Sequence, residues 1–414
     1  MINKLCKFLL PLKRYIQEKA CTLAALSISK WGYYPSILDH LISRNNFGID
    51  KFKIYNADKV NVQVQKILSR LDSIQSDISP VNDYSLVSSS KPLKKLAFLT
   101  TGRAEAITNK VLSDIGHSYG GKVIFVNQKF DGANSFSKAD MAENFGLLVD
   151  FAPDIVFFEL HTLMNSDSDF TIFSKAFILR LKEELGTKVC VICFDIWREF
   201  DLSYLEYWSD LVDIFTHIDQ KAASKIDNIY PMFFWPYPAL NSRLRVNAEK
   251  DYGIFFQGSV REYDRRKLLS HVARLASKYQ IDFTFNIFSH HTKRNIPSQA
   301  QYLNELSRAK YCIGLSQKNR DHWLITFRSI EAIDSGATLI QQTGLGFDPL
   351  STLYKPFEHY LPFSTDLELQ AILFIIKHHS DRLDFISENA YIYHSLHYSK
   401  QQLWNALIDE IFEI

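Results

Sequence analysis

Ile325-Thr326-Phe327-Arg328-Ser329-Ile330-Glu331-Ala332-Ile333-Asp334-Ser335-Gly336-Ala337-Thr338-Leu339-Ile340 is the stretch on which the reading of this chain turns. Apolar residues at helical spacing run up to Gly336, a residue suited to ending a helix, and an apolar strand-like run follows directly. Arg328 and Glu331 are three residues apart, so they share a face in the first turns of that helix. The helix N-terminus offers N–H groups and partial positive charge. Together these suit a ligand with an anionic half and a hydroxyl-rich half: the arginine for phosphate oxygens, the glutamate for ribose hydroxyls. An intrahelical ion pair on a solvated face accounts for the same two residues, so the surroundings have to decide.

Working outward, strands and helices alternate from Lys94 onward. Strands are expected at Leu96–Thr100, Lys122–Val126, Asp154–Glu159, Lys188–Phe194 and Ile214–His217, with a short one near Met232–Trp235. Between them lie helices such as Ser174–Leu185, stopped by Gly186. After a break at Asn241–Asp251 the alternation restarts, with strands at Gly253–Gln257, Phe283–Phe288, Tyr311–Leu315, Thr338–Gln341 and Tyr360–Phe363. Helices are expected at Asp264–Tyr279, Gln301–Ala309, Phe327–Ser335 and Leu367–His378. Near-continuous apolar strands separated by helices mean parallel sheets covered on both faces. The chain therefore reads as two doubly wound α/β domains, 94–245 and 250–395. A ligand would sit at the carboxyl ends of the strands, in a cleft between the domains.

Composition narrows the function classes. The 414 residues carry 47 Lys plus Arg against 46 Asp plus Glu, a net charge of +1, which argues against a dedicated nucleic-acid binder. With 46% hydrophobic and 14% aromatic residues the chain is not an acidic disordered one. No apolar stretch approaches membrane-spanning length. Cys6, Cys21, Cys190, Cys193 and Cys312 are too sparse and odd in number for a disulfide framework. Phe8-Leu9-Leu10, broken by Pro11, is too short for a signal-peptide core, so the expected compartment is the cytoplasm.

The first 90 residues differ in kind and read as a helical extension. Leu5, Leu9, Leu12 and Ile16 share a helical face with Lys7 and Arg14 opposite, which fits either a helix packed on its own domain or a basic helix on an anionic membrane surface. Val60, Val64, Ile67, Leu71, Ile74 and Ile78 follow 4,3,4,3,4 spacing, a seam that faces a partner helix. That partner is either the same chain or a second copy, the latter making residues 1–80 an oligomerisation element. Ser88-Ser89-Ser90-Lys91-Pro92 reads as a linker.

Two more segments bear on the site. Phe255-Phe256-Gln257-Gly258-Ser259-Val260-Arg261, followed by Asp264-Arg265-Arg266, is a strand, a glycine turn and a helix start, which lets backbone approach a phosphate. Leu306–Leu315 is a helix end and a strand, and Ser316 and Gln317 would lie at that strand's carboxyl end.

The order of these features resembles the glycosyltransferase group 1 superfamily of the two-Rossmann, GT-B fold, and within it the branch of spore-maturation CgeB-like proteins. The matching pieces are Phe194-Asp195 with Tyr204 and Asp213; Phe256–Ser259 with Arg265; Leu306–Ser316; Arg328–Ala332 with Gly336; Glu358; and His397-Tyr398-Ser399 before the last helix, about Ser399–Phe412. The resemblance implies a second domain that binds a nucleotide-activated sugar. Glu331 would face the ribose, and Arg328 with Gly258 and Ser259 would lie near the diphosphate. Arg265, Ser316, Gln317, Ser329 and Glu358 complete the expected donor site. The first domain would hold the acceptor, and residues 396–414 would cross back to it.

One departure stands out. Many members of the wider superfamily carry a glutamate eight positions before the one matched by Glu331; here that position is Trp323. The expected chemistry asks for arginines and a helix N-terminus to stabilise the leaving diphosphate without a metal or other cofactor, and for a general base on the acceptor. Asp195, His161 and Glu159, at strand ends of the first domain, are the expected catalytic candidates, with Gly102 and Arg103 expected at the acceptor. The expected function is sugar transfer from a nucleotide sugar to a glycan, lipid-linked or protein acceptor, in the cytoplasm or at the inner face of a membrane. The alternative is a catalytically silent nucleotide-sugar-binding or scaffold protein of a polysaccharide-assembly system.

Other patterns are weaker. Asp167-Ser168-Asp169 sits in a polar loop, not after a strand. Cys190 and Cys193 point to opposite faces of one strand. His290-His291 and His378-His379 lack further ligands at metal spacing. Gly120-Gly121-Lys122 precedes a strand, whereas a phosphate loop follows one. Thr100–Glu105 spells no dinucleotide fingerprint, which disfavours a nucleotide-sugar epimerase.

Overall fold

Val189 to Cys193 are wholly buried, as in a strand covered on both faces. The computed structural model that shows this describes residues 53–77, 93–101, 112–113, 115–128, 138–159, 175–193, 205–217, 229–230, 250–258, 263–287, 299–315, 317–319, 322–323, 325–346 and 348–413. The main helices are α1 (Ala57–Asp77), α2 (Lys138–Phe151), α3 (Lys175–Leu185), α4 (Tyr263–Tyr279), α5 (Gln299–Ser307), α6 (Phe327–Asp334), α7 (Asp366–His378), α8 (Asp384–His397) and α9 (Lys400–Glu413). Strands β1 (Lys95–Thr101), β2 (Lys122–Gln128), β3 (Ile155–Glu159), β4 (Lys188–Cys193), β5 (Ile214–His217) and β6 (Ile229–Tyr230) form a first sheet. A second contains β7 (Tyr252–Gly258), β8 (Phe283–Ile287), β9 (Ala309–Gly314), β12 (Thr338–Gln342) and β13 (Leu361–Phe363). A small antiparallel pair, β10 (Gln317–Asn319) and β11 (His322–Trp323), stands apart from both.

The first sheet has the order β2-β1-β3-β4-β5-β6, and every pair is parallel. On one face α2, α3 and the segment around Trp208 bury Leu148, Ile178 and Leu181 against Val156, Val191 and Cys193. On the other, Phe98 stacks on Phe157 with centroids 4.8 Å apart. Trp404 of α9 meets that pair edge-on at 6.5 and 5.9 Å, and its indole N–H donates to Ser118 Oγ at 3.0 Å. The last helix thus packs on the first sheet. It starts on a capping box in which Ser399 and Gln402 satisfy each other's backbone N–H.

The second sheet has the order β13-β12-β9-β7-β8, again all parallel and with the same winding as the first. Helices α5 and α6 lie against β9 and β12. The other face is covered by α1, α4 and α7. Here the structure corrects the sequence reading. The helix expected in a separate extension belongs to the unit built on the second sheet. Its seam residues Val60, Val64, Ile67 and Leu71 are all buried in that unit's core with Leu369, Ile372 and Ile376 of α7. These four residues of the stripe are thus used inside the chain. Polar contacts fix the register: Tyr55 N–H donates to Gln370 Oε1 at 2.9 Å, and Gln370 Nε2 donates back to Tyr55 O at 3.2 Å. Arg382 pairs with Asp72.

Other differences are local. The strand expected near Met232–Trp235 is found at Ile229–Tyr230, and 231–249 lie outside the described residues, as do 1–52 with the possible membrane-surface helix. Strand β9 begins at Ala309 because α5 ends at Ser307. Cys190 and Cys193 are both buried in β4, with Cys193 on the α2–α3 face. Among the described residues no helix is long and apolar enough to cross a membrane.

Buried polar groups close the second unit. Tyr354 hydroxyl and His394 Nδ1 share a hydrogen bond at 2.8 Å, and His394 Nε2 lies 3.6 Å from the Asp334 carboxylate at the end of α6. Burial lowers the His394 imidazole to about 4. The unfolded chain, with histidine near 6.5, then binds a proton that the folded chain refuses between the two values. Stability should therefore rise with pH across that window, by about 3 kcal/mol from His394 between pH 4 and 7. Urea unfolding at pH 7 and pH 5 should show lower stability at pH 5, with a shallower dependence in His394→Gln. Leu71→Ala, which empties the α1 seam, should cost about 2–5 kcal/mol in the same measurement.

Candidate functional site

In a doubly wound sheet the ligand crevice opens at the carboxyl edge where the strand order reverses. For the second sheet that point lies between β7 and β9, at Gly258 and Gly314. Both glycines leave room for a side chain that lies over them. A Cβ at Gly258 would collide with the Arg328 guanidinium, with Cζ only 2.9 Å away. A Cβ at Gly314 would collide with Gln341 Oε1, with Cδ at 3.1 Å.

Helix α6 delivers Arg328 to this edge. Its N-cap Thr326 makes no side-chain cap to the backbone, so the first N–H groups of the helix are not consumed that way. Thr326 Oγ1 instead lies 3.2 Å from Ser329 Oγ. Ser329 hydroxyl donates to Gln341 Oε1 at 2.8 Å, and Gln341 Nε2 donates to Gln342 O at 3.0 Å. This relay anchors α6 to the end of β12 and holds the Gln341 amide across Gly314. Ser329 is fully buried. Its expected role in donor binding is therefore corrected: its side chain is a strut, and its N–H is taken by Thr326 O at 2.9 Å.

The Arg328 guanidinium lies 4.8 Å from the centroid of the Phe256 ring, a cation–π contact. Its Nε is buried without a hydrogen-bond partner among the described residues. The cation is held by packing and hydrogen-bond capacity remains, as an anion site requires. One turn on, the Glu331 carboxylate acts on the Tyr302 hydroxyl of α5 through its charge. Burial, and then the Glu331 charge, push that phenol well above its ordinary value, while Arg328 works in the opposite direction. Cys312 of β9 feels the same two charges, and burial pushes its thiol up to about 12. The cluster thus pairs a cationic donor and a helix N-terminus with a carboxylate acceptor one turn away.

The structure brings together Gly258, Arg328 and Glu331, and places Arg265 on the first turn of α4, which follows β7. It does not bring Glu358 to them. Ile340 pairs with Leu361, and Glu358 lies three residues before that level, whereas Gly258 lies beyond it at the carboxyl edge. Glu358 instead meets Lys355 Nζ at 3.3 Å and His359 Nε2 at 3.4 Å, at the amino end of β13. The physical reason is the return of the chain after β12, which must run back along the sheet before β13 can start parallel to it. Ser259 and Ser316 lie outside the described residues, and Gln317 is described only as backbone of β10. In the first unit Glu159 ends β3, while Gly102, Arg103, His161 and Asp195 lie outside the described residues.

Tyr302 and Gln341 are outside the expected site and reach it from elements distant in sequence, whereas Phe256 and Gly314 lie inside the matching segments but were given no role of their own. A cavity of about 360 Å³ lined by Tyr252, Ser277, Asp282 and Phe283 lies at the opposite, amino edge of β7 and β8. Among the described residues no group of three or more His, Cys, Asp or Glu side chains is placed to hold a metal ion.

No family model matches the chain, and no curated protein matches it in sequence. Solved structures do share its fold. The catalytic domain of starch synthase IV from Arabidopsis thaliana, bound to ADP and acarbose, aligns with a TM-score of 0.53 at 9% identity, over 78% of this chain and all (100%) of that one. Alr3699/HepE from Anabaena, in complex with UDP and glucose, gives 0.48 at 9% identity over 78% and 100%. AviGT4, a glycosyltransferase involved in avilamycin A biosynthesis, gives 0.48 at 12% identity over 77% and 97%. The fold, two parallel sheets with flanking helices, is that of the GT-B glycosyltransferases.

Ser329→Ala should leave the Gln341 carbonyl oxygen buried without its donor and cost about 1–3 kcal/mol in urea unfolding. Ser329→Thr, which keeps the hydroxyl, should recover part of that loss.

Proposed function

We propose that this chain is a glycosyltransferase that uses a nucleotide sugar, with the donor's nucleoside diphosphate seated at the carboxyl edge of the second sheet. The observation that carries the reading is the Arg328 guanidinium lying over Gly258, with the Glu331 carboxylate one turn away on the same helix. Arg328 and the start of α6 would stabilise negative charge developing on the leaving diphosphate, without requiring a metal ion for that step. Glu331 would accept hydrogen bonds from ribose hydroxyls. The ADP and UDP named for the structural neighbours are consistent with such a ligand.

The acceptor side belongs to the first unit in this proposal. Gly102 and Arg103 follow β1, Glu159 ends β3 with His161 two residues on, and Asp195 follows β4. These strands are neighbours in the sheet, in the order β1-β3-β4, so the candidates leave one edge around the β1/β3 reversal. Asp195 is the preferred general base, and the acceptor is a glycan, lipid-linked or protein hydroxyl. The narrower CgeB-like placement rests on the ordered motifs between Phe194 and Ser399. Trp323, on β11 where the wider superfamily has a glutamate, supports a second reading: a protein that binds the donor without turning it over.

Nucleoside diphosphates (UDP, ADP and GDP) should raise the melting temperature of the purified protein, since a ligand at 100 times its Kd stabilises by about 2.7 kcal/mol. Arg328→Ala and Glu331→Ala should each abolish the shift, and a shift that survives in both variants overturns the site. Incubation with UDP-, ADP- and GDP-sugars should then release nucleotide, slowly even without acceptor. Binding with no release from any of them favours the silent reading.

A further inference from the structure

Phe256 is wholly buried and belongs to the core that α1, α4 and α7 build on one face of the second sheet. Arg328 starts on α6, which lies against β9 and β12. The buried α6 residues Ile330, Ala332 and Ile333 take no part in that core. Arginine and ring meet where the arginine reaches across the carboxyl end of β7. Side chains alternate along a strand, so position 258 faces the same side as Phe256. Glycine leaves that place empty, and the guanidinium fills it. The point where a Cβ of residue 258 would stand is 2.9 Å from Arg328 Cζ and 3.3 Å from Phe256 Cζ. The guanidinium is held there, 4.8 Å from the centroid of the ring.

The kind of support matters. A carboxylate under the arginine would neutralise it and take up its N–H groups. An aromatic face attracts the cation through its quadrupole and leaves both charge and N–H groups to a ligand. Phe256 itself is covered by the core and the guanidinium, so it touches no ligand. Whatever it contributes to binding passes through the cation, and so falls on the charged part of the ligand.

We propose that Phe256 is a positioning residue that, through Arg328, sets the affinity of this site for the diphosphate and leaves its affinity for the nucleoside alone. The inference rests on the nucleotide-sugar reading above and adds to it a residue from the far face of the sheet.

The test takes whichever of UDP, ADP and GDP raises the melting temperature of the full chain most. That diphosphate is titrated by calorimetry, and its nucleoside by ligand-observed NMR. Phe256→Leu should bind the diphosphate roughly tenfold more weakly, the scale of a partly desolvated cation–π contact, with the nucleoside little changed. Ile254→Ala thins the same core two residues earlier on β7, away from the cation, and should leave diphosphate affinity unchanged. Wild-type diphosphate affinity in Phe256→Leu overturns the proposal and leaves the donor site standing. Equal proportional losses for diphosphate and nucleoside, or a loss in Ile254→Ala as large as in Phe256→Leu, mean that the ring only fills the core, and equally overturn it. If the wild type binds the diphosphate but no nucleoside, the Ile254→Ala comparison decides. If it binds none of the three diphosphates, the nucleotide-sugar reading fails and this inference with it. Should Phe256→Leu not fold, Phe256→Met, which keeps apolar volume without a ring, takes its place with the same expected loss.

Discussion

The Arg328 guanidinium rests on an aromatic face, against a backbone position where a side chain would displace it. That one placement sets the terms for the rest of the second unit. Removing part of a cation from water is costly unless something answers the charge. The Phe256 ring answers some of it through its electron-rich face, and does so without supplying an acceptor for the N–H groups. A hydrogen-bonding demand is left at the carboxyl edge of the sheet. An anion meets it best, because the start of α6 adds partial positive charge at the same place.

Holding the guanidinium there asks more of α6 than its eight residues would supply alone. Successive helical residues are turned by about 100°, so Arg328 and Ser329 point in different directions while Arg328 and Glu331 lie on neighbouring lines. The helix uses that geometry to divide its contacts. Ser329 points down to the Gln341 amide and fixes height and register on the sheet. Glu331 lies where its charge is felt by Tyr302 of α5. Asp334, at the far end, faces His394 of α8. Arg328 is left to the crevice, and its position is set by residues that need never touch a ligand.

This division of labour explains what was legible in the sequence. Strands β1–β5, β7, β9 and β12 were visible because parallel strands buried on both faces are written as unbroken apolar runs, and Gly336 marked the end of α6. Arg328, Glu331 and Gly258 were visible because their residue types and spacing carry meaning on their own. Ser329 was misread for the same reason: a serine beside an arginine at a helix start looks like a ligand contact, and only Gln341, twelve positions on (|i−j|=12), shows where its hydroxyl goes. Tyr302 and Gln341 were invisible, since nothing local marks a tyrosine or a glutamine that comes near this helix from another element. Glu358 was placed by its order along the chain, but sequence order does not say which end of a strand a loop arrives at. The β10–β11 pair is too short and polar to produce an alternation.

The α1 seam was read correctly as a buried stripe, but its partner was not apparent, because α7 lies more than 300 residues away: Tyr55 and Gln370 are separated by 315. Trp404 and Ser118, which close the other unit, are separated by 286. Each sheet is therefore completed by a helix from the opposite end of the chain. Ordering contacts of such separation means closing very large loops before any packing is gained in return. The first sheet can collect its strands early, yet its Phe98–Phe157 face stays open until α9 arrives. The second sheet needs α7 to give α1 a surface. Neither hydrophobic core is complete without a helix from residues 366–413, α7 for the second sheet and α9 for the first, so each core depends on contacts of very large sequence separation.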